Sequence, residues 1–177
     1  MRGIFYFLIA LAVIAVLVIV FLTWSIFKGA PWSPSTKKHI LKMFELANLQ
    51  PDELVYDLGC GDGRVLIIAA QQYNTRAIGI EIDPIRFLWC KLRIRMLGLR
   101  EQVQVIRGDF FSKDFSDADV IICYLLQNTN DKLEKKLITE LRSKARVVSN
   151  KFVFSNLPLA SKYENLEIYS YEMIDTE

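Results

Sequence analysis

The sequence Val55-Tyr56-Asp57-Leu58-Gly59-Cys60-Gly61-Asp62-Gly63-Arg64 joins a short apolar run to a glycine-rich turn, and the apolar helical pattern of residues 65–70 follows it. A turn of this kind, between a strand and the N-terminus of a helix, brings backbone close to a bound ligand. Because glycine takes positive φ at no steric cost, Gly59, Gly61 and Gly63 predict a binding loop that leads into Arg64. The glycines alone leave the ligand open.

Apolar runs and helical patterns alternate on both sides of this loop, beginning with a helix at residues 36–47. Continuous apolar strands separated by helices are typical of a parallel sheet covered on both faces. We therefore predict an α/β fold with a doubly wound, mostly parallel, Rossmann-like sheet. The predicted strands are 54–58, 77–81, 103–107, 120–124 and 146–149, and the helices between them are 64–72, 84–97 and 129–141.

The C-terminal region gives a weaker pattern. Residues 152–154 are apolar and would prolong the fifth strand, whereas residues 166–171 alternate like a half-exposed strand. We expect this last strand to be antiparallel and to lie at the edge of the sheet.

Polar or aromatic side chains follow four of the predicted strands: residues 57–63, residues 81–83, residues 108–111 and residues 124–128. In an open α/β sheet, ligands bind outside the carboxyl ends of the strands, where the strand order reverses. The coincidence of the four strand ends, more than the glycines, predicts a ligand site.

Two ligand classes fit a glycine turn followed by an acid at the end of the second strand: a dinucleotide, and an adenosyl group that carries methionine. Asp57 and Asp62 would each repel a pyrophosphate by about 1 to 4 kcal/mol at ~4 Å in a moderate dielectric. The same carboxylates suit a ligand with a sulfonium and an ammonium group. The loop therefore favours S-adenosylmethionine, with a dinucleotide oxidoreductase as a rival.

The ends of the second and third strands extend this interpretation to the adenosyl group. Glu81 has two carboxylate oxygens for the two ribose hydroxyls. Asp109 is placed to accept a hydrogen bond from the adenine amino group, with Ile82 or Phe110 against the face of the ring.

Residues 4–22 form an unbroken run of 19 apolar residues. At about 1.5 Å per helical residue, this run covers the ~30 Å hydrocarbon core of a bilayer. A cleaved signal peptide is the alternative, but residues 24–28 supply no small-x-small cleavage site. We expect a membrane anchor at residues 1–28, a linker at 29–35 and a folded domain at 36–177.

Basic residues near this run indicate its orientation. Arg2 alone precedes it, whereas Lys28, Lys37, Lys38 and Lys42 follow it. Positive charge collects on the cytoplasmic side, so we expect a single-pass protein whose domain faces the cytoplasm.

Charge and cysteine usage exclude other classes of function. The chain has 22 basic and 20 acidic residues, and because Arg2 and Lys28 lie in the acid-free first 32 residues, the remainder is balanced. We therefore expect no nucleic-acid partner. The odd number of cysteines and their spacing predict neither a disulfide framework nor a metal site.

Three segments resemble the motifs of class I S-adenosylmethionine-dependent methyltransferases: residues 57–64, Gly79-Ile80-Glu81-Ile82-Asp83-Pro84 and Gly108-Asp109-Phe110. Together with Pro34-Ser35, Lys135-Lys136-Leu137 and Ala145-Arg146-Val147-Val148, they resemble more narrowly the membrane-anchored lysine methyltransferases of the ATP synthase c-subunit and adenine nucleotide translocase type, with their prokaryotic relatives. The resemblance spans about residues 32 to 155.

The resemblance implies that Asp57 and Gly59 hold the methionine part of the cofactor, Glu81 its ribose and Asp109 its adenine. It also implies that Trp32, Pro34 and Ser35 cover the methionyl end. The chain departs from the family's mitochondrial members after the fourth strand, where Tyr124-Leu125-Leu126-Gln127 stands in place of a proline-containing loop, so acceptor specificity does not carry over.

The function that we expect is a membrane-tethered methyltransferase that acts on lysine in a protein and releases S-adenosylhomocysteine. Tyr124 is the predicted lining of the acceptor channel, with Gln127 and Trp32 as further candidates. A small-molecule or lipid acceptor, and a cofactor-binding scaffold without turnover, stay open as alternatives. The oligomeric state stays open too.

Overall fold

A computed structural model of the protein describes residues 34–174 and, before them, residues 4, 6–9, 11–13, 15 and 16. The chain forms two compact units, Met1–Ser33 and Pro34–Glu177.

In the first unit the described residues are helical, and they expose large apolar side chains such as Phe7 and Leu11. Within the described residues, no helix has the length and apolar character that a membrane crossing needs. Residues 1–3, 5, 10, 14 and 17–28 of the predicted anchor lie outside the described part of the chain.

The second unit alternates strands and helices as the sequence predicts. Its first helix begins after Thr36, whose side-chain oxygen accepts a hydrogen bond from the backbone N–H of His39 at 3.3 Å. The helices are α1 (Lys37–Leu46), α2 (Arg64–Tyr73), α3 (Pro84–Met96) and α4 (Gln127–Glu140). The strands are β1 (Leu54–Leu58), β2 (Arg76–Glu81), β3 (Val103–Arg107), β4 (Val120–Cys123), β5 (Arg146–Asn150), β6 (Leu159–Tyr163) and β7 (Ile168–Glu172).

The seven strands form one sheet in the order β3-β2-β1-β4-β5-β7-β6. Strands β1 to β5 are parallel, and β7 pairs antiparallel with both β5 and β6. The order reverses between β1 and β4, which are neighbours in space. The predicted Rossmann-like, mostly parallel sheet is confirmed.

Two apolar cores cover the two faces of the sheet. Alternate residues of β1 pack in different cores. Val55 packs with α1, α2 and α3, whereas Tyr56 and Leu58 pack with α4. Strand side chains point to opposite faces with period two, so a strand buried on both sides is apolar throughout. Because both faces of the sheet are covered, polar side chains of neighbouring strands lie together at its carboxyl edge.

The C-terminal strands differ from the sequence prediction in two ways. Strand β7 is antiparallel as expected, but it lies second from the edge, because β6 pairs on its outer side. The edge strand β6 has largely exposed or half-buried residues, which removes the apolar signal that marks a buried strand. Residues 152–154 do not prolong β5, which ends at Asn150.

Candidate functional site

The loop between β1 and α2 lies where the strand order reverses. Asp57, near the end of β1, is paired with Gly79 of β2 on one side and with Ile122 of β4 on the other. In open α/β sheets this is the crevice that receives a ligand. The structure thus brings the predicted binding loop to the topological centre of the sheet.

All three loop glycines adopt positive φ: +81° at Gly59, +54° at Gly61 and +75° at Gly63. A side chain is strained in this region, so the path of the loop requires glycine. The N–H groups of Gly59 and Cys60 donate to the carbonyl oxygen of Ile80 at 2.9 and 3.1 Å, which ties the loop to β2. The sequence prediction of a tight, backbone-exposing turn is confirmed in its conformation.

Glu81 is buried at the end of β2 and joins the loop to the next segment. One oxygen, Oε2, accepts the backbone N–H of Gly61 at 2.8 Å, and Oε1 accepts the N–H of Asp83 at 2.9 Å. Each carboxylate oxygen has two lone pairs, so both oxygens keep capacity for a further donor such as a ribose hydroxyl. These two bonds hold the carboxylate in a fixed direction before any ligand binds.

Asp57 is buried, and its Oδ2 has no hydrogen-bond partner among residues 34–174 or the other residues that the structure describes. Burial, together with the charges of Glu81 and Asp62, raises the pKa of Asp57 from its ordinary value of 3.8 to about 8. An unpaired buried carboxylate is costly, and such groups are common at functional sites. A ligand with an ammonium or hydroxyl donor would satisfy it.

Asp62 is paired with two arginine side chains. Its carboxylate forms ion pairs with Arg64 at 2.9 Å and with Arg93 at 2.8 Å. Burial alone would raise the pKa of Asp62, but the hydrogen bonds and positive charge of Arg64, with the charge of Arg93, lower it below its ordinary value. Arg64 and Arg93 thus offset much of the charge of Asp62, so this residue gives little information on the charge of a ligand.

Arg64 links the loop to the segment that precedes the fold. Besides its bonds to Asp62, its Nη1 donates to the carbonyl oxygen of Ser35 at 2.9 Å. The hydroxyl of Ser35 in turn lies 3.2 Å from Nδ2 of Asn150, at the end of β5. The structure thus places Ser35 beside the carboxyl edge of the sheet, next to the exposed Pro34. Trp32 lies outside the described residues.

The predicted adenine site lies after β3. The N–H of Gly108 donates to the carbonyl oxygen of Glu81 at 3.0 Å, so the ends of β2 and β3 are held together. Asp109 is exposed, and its Oδ1 accepts the N–H of Phe111 at 2.9 Å, which caps the short 3-10 helix Phe110–Ser112. Ile82 is exposed at the end of β2, whereas Phe110 is half-buried. Whether Asp109, Ile82 and Phe110 contact adenine stays a prediction.

The predicted acceptor side lies after β4. Tyr124 is half-buried, and its ring stacks on Phe152 with centroids 6.4 Å apart. The apolar run 152–154 predicts a continued fifth strand, so the sequence gives no signal that Phe152 lies beside Tyr124.

The side chain of Gln127 is hydrogen-bonded to the backbone of Val153. Its Nε2 donates to the carbonyl oxygen of Val153 at 2.8 Å, and the N–H of Val153 donates back to its Oε1 at 3.2 Å. Nearby, Asn130 donates to Ser149 and to the carbonyl oxygen of Phe152, each at 3.2 Å. These bonds fix the segment after β5 against the start of α4, and they hold Phe152 beside Tyr124.

The residues present fit S-adenosylmethionine. The orphaned Asp57 oxygen suits its ammonium group, the positive φ of the loop glycines forms the tight turn expected of a cofactor-binding loop, and the oriented Glu81 carboxylate suits its ribose. Among the residues that the structure describes, no cluster of three His, Cys, Asp or Glu side chains is placed to hold a metal ion.

Comparisons with known proteins agree with this site. A family model described as the ANTKMT methyltransferase domain matches residues 57–160. A protein-lysine N-methyltransferase of Saccharolobus islandicus is 40% identical over 123 residues, which are 69% of this chain and 76% of that protein. A lysine N-methyltransferase of the ATP synthase c-subunit, from Xenopus laevis, is 31% identical over 129 residues, 71% of this chain but only 55% of its relative. The chain thus spans about half the length of the latter enzyme.

A crystal structure described as an RNA methyltransferase from Salinibacter ruber, in complex with S-adenosyl-L-homocysteine, has a TM-score of 0.77 to this protein. It is 32% identical, and the match covers 82% of this chain and 96% of that one. The extent of the family match and the similarity of the full domain to a cofactor-bound structure lead to one conclusion. The chain is an S-adenosylmethionine-dependent methyltransferase and belongs to the ANTKMT methyltransferase family.

Proposed function

We propose that the protein methylates the side-chain nitrogen of lysine in a protein substrate. One observation carries this proposal: the chain is 40% identical over 123 residues to a protein named as a protein-lysine N-methyltransferase. The name of the Xenopus laevis relative also specifies lysine. The identity of the substrate protein does not follow, because a relative's name describes that relative and not this chain.

S-adenosylmethionine supplies an electrophilic methyl group on a sulfonium. The protein has to align the acceptor nitrogen with that methyl group and exclude water, and positioning of this kind can lower the barrier by several kcal/mol. The fixed Glu81 and the glycine loop would hold the donor, and the Tyr124 and Phe152 rings would line the approach of the acceptor. No nucleophile from the protein is needed.

A lysine acceptor has to be neutral when it attacks, since the protonated amine has no lone pair. An apolar, aromatic surface disfavours the charged ammonium and so lowers the pKa of a lysine that enters it. The half-buried rings of Tyr124 and Phe152 offer such a surface.

A second candidate is methylation of RNA, which the name of the Salinibacter ruber relative favours. The balanced charge of the chain beyond residue 32 weighs against it, because RNA binding gains from clustered positive charge. A small-molecule or lipid acceptor, and a scaffold without turnover, are further alternatives.

The acceptor class can be tested with purified full-length protein and S-adenosylmethionine that carries a labelled methyl group. The mixture is given separate protein and RNA fractions of cell extract, followed by protease or ribonuclease. We expect label in macromolecules that protease releases and ribonuclease leaves intact, and at least about tenfold less label with Glu81→Ala at a subsaturating cofactor concentration. Release by ribonuclease alone would favour the RNA candidate, and absence of any labelled product would favour the scaffold.

We also propose that residues 1–28 tether the domain to a membrane, with the domain at 36–177 facing the cytoplasm. The apolar run at residues 4–22 and the basic residues that follow it support this arrangement. In washed membranes, the full chain should resist extraction by alkaline carbonate, and its domain should be digested by protease only when the cytoplasmic face is accessible. Extraction by carbonate, or digestion from the opposite face, would contradict the proposal.

A further inference from the structure

The outer side of α3 exposes an unusual row of apolar side chains. Their exposed fractions lie between 46% and 74%, and their spacing of three or four residues puts them on one face of the helix. We define the α3 apolar face as Ile85, Leu88, Trp89, Leu92 and Met96. A helix of a soluble domain normally turns such a row toward the core, but here the core side is formed by the buried Cys90 and Ile94.

Basic side chains border this face on both sides. Helix α3 contains Arg86, Lys91, Arg93 and Arg95 and no acidic residue. At about 100° per residue, Lys91 and Arg95 fall on one border of the apolar row, and Arg86 and Arg93 fall on the other. Arg93 also pairs with Asp62. A helix with Trp and Leu on one face and Lys and Arg beside it is typical of helices that lie in a membrane interface.

We propose that the α3 apolar face docks on an anionic lipid surface, with α3 lying in the plane of the interface. The apolar side chains would enter the acyl boundary, and the flanking cations would meet the negatively charged headgroups. This surface is distinct from the tether at residues 1–28, and the proposal holds for any methyl acceptor.

Charge distinguishes lipid from the other possible occupants. A second copy of the same face would bring its own cations to these cations, and α3 offers no acid to pair with them. RNA would gain from the cations but not from five exposed apolar side chains, whose burial is what stabilises an interfacial helix. An anionic lipid surface matches both features.

Docking here would set the direction in which the site opens. Helix α3 begins directly after Asp83, whose side chain caps it through the N–H groups of Ile85 and Arg86, both at 2.9 Å. The backbone N–H of Asp83 also donates to Glu81. A membrane that holds α3 would therefore hold the carboxyl edge of the sheet at a fixed angle to the bilayer.

The test uses the full chain with an environment-sensitive fluorophore attached at Leu88→Cys. The native cysteines Cys60, Cys90 and Cys123 are all buried, so the new thiol is selectively labelled. A matched probe at Lys135→Cys on α4 reports an exposed site on the other face of the sheet. Both proteins are reconstituted into vesicles of phosphatidylcholine, with or without phosphatidylglycerol, that carry brominated acyl chains, because bromine quenches only a probe that contacts lipid.

We expect strong quenching at position 88 in the anionic vesicles, weak quenching in neutral vesicles or high salt, and none at position 135. Charge reversal by Lys91→Glu with Arg95→Glu should lower the ratio of docked to undocked protein by at least about 25-fold, from roughly fivefold for each basic residue lost. The matched reversal Lys132→Glu, on α4, should change nothing.

Equal quenching at the two positions, or none at either, would overturn the proposal. A probe at position 88 that is shielded from water but unquenched by brominated lipid would also overturn it, in favour of a protein occupant such as a second copy. Flotation with the neutral vesicles, on which the α3 apolar face is expected to dock only weakly, tests the tether separately, so failure of either proposal can be recognised alone.

Discussion

The backbone N–H of Gly61 donates to the Glu81 carboxylate at 2.8 Å, although the two residues are 20 positions apart. This bond connects the glycine loop after β1 to the acid at the end of β2. The other oxygen of the carboxylate accepts the N–H of Asp83. The acid predicted to bind ribose thus also fixes the shape of the loop predicted to bind the methionine part of the cofactor.

Removal of this carboxylate should weaken cofactor binding. We expect Glu81→Ala to reduce the affinity for S-adenosylhomocysteine by about 1.5 to 3 kcal/mol, as for the loss of hydrogen bonds to a charged group. Titration calorimetry measures it, and Glu45→Ala, at an exposed site on α1, is the matched control. Unchanged affinity in Glu81→Ala would remove Glu81 from the site.

Asp57 should make stability depend on pH. The unfolded chain loses the Asp57 proton near its ordinary pKa of 3.8, whereas the folded chain holds it until about pH 8. Between these values the folded state binds one more proton than the unfolded state, so its stability falls as pH rises and levels off above pH 8. At about 1.4 kcal/mol per pKa unit, the effect should reach a few kcal/mol.

Urea denaturation of the cofactor-free protein between pH 5 and pH 9 measures this dependence, for the wild type and for Asp57→Asn. The substitution removes the titrating group, so the free energy of unfolding of the variant should decline less across that range. Parallel curves for the two proteins would show that Asp57 does not titrate with a raised pKa.

Gly63 should tolerate no side chain. A Cβ at this position would lie 2.3 Å from Sγ of Cys90, and φ is +75°. Gly98 has a similar φ of +70°, but nothing lies within 4 Å of its Cβ position. Gly98→Ala should therefore cost only the backbone strain, about 1 to 2 kcal/mol, and Gly63→Ala a further ~1 to 3 kcal/mol from overpacking.

Chemical denaturation of the two variants separates strain from overpacking. Addition of Cys90→Ala to Gly63→Ala removes the clashing sulfur and should restore part of the lost stability. Equal destabilisation by Gly63→Ala and Gly98→Ala would show that the close contact with Cys90 has no energetic effect.

Substitution of Tyr124 should impair the reaction with the acceptor lysine and leave cofactor binding unchanged. If its ring lines the approach of the lysine, Tyr124→Ala should lower kcat/KM for the acceptor at least about tenfold, while the affinity for S-adenosylhomocysteine stays as in the wild type. Tyr124→Phe keeps the ring that stacks on Phe152 and should retain most activity. A parallel loss of cofactor affinity in Tyr124→Ala would assign the ring to the cofactor or to folding.

The sequence predicts the structure best at positions where a single physical requirement selects the residue type. The glycines at positive φ and the apolar runs of β1 to β5 are such cases, and the bounds of β1 and β3 agree with the structure to the residue. Glu81 is predicted as a site residue because the apolar run of β2 ends at this acid. Its position therefore follows from the strand pattern alone.

The sequence was least informative where a side chain has several possible partners. Asp62 was interpreted as a ligand for a cation, but Arg93, 31 residues away, and Arg64 neutralise it. Gln127 was a candidate for the acceptor channel, but it bonds the backbone of Val153. The exposed strand β6 has no apolar pattern. Each of these features depends on contacts between distant parts of the chain, which spacing does not encode.

The central claim is that the methyl group reaches a lysine nitrogen in a protein. The most direct test supplies full-length protein with S-adenosylmethionine that carries a deuterated methyl group, and then locates the deuterium in peptides of the acceptor fraction by tandem mass spectrometry. We predict deuterated methyl on the Nε atom of lysine, reduced at least about tenfold in the Glu81→Ala reaction at a subsaturating cofactor concentration. Deuterated methyl found only on nucleosides, lipids or small molecules would contradict the claim.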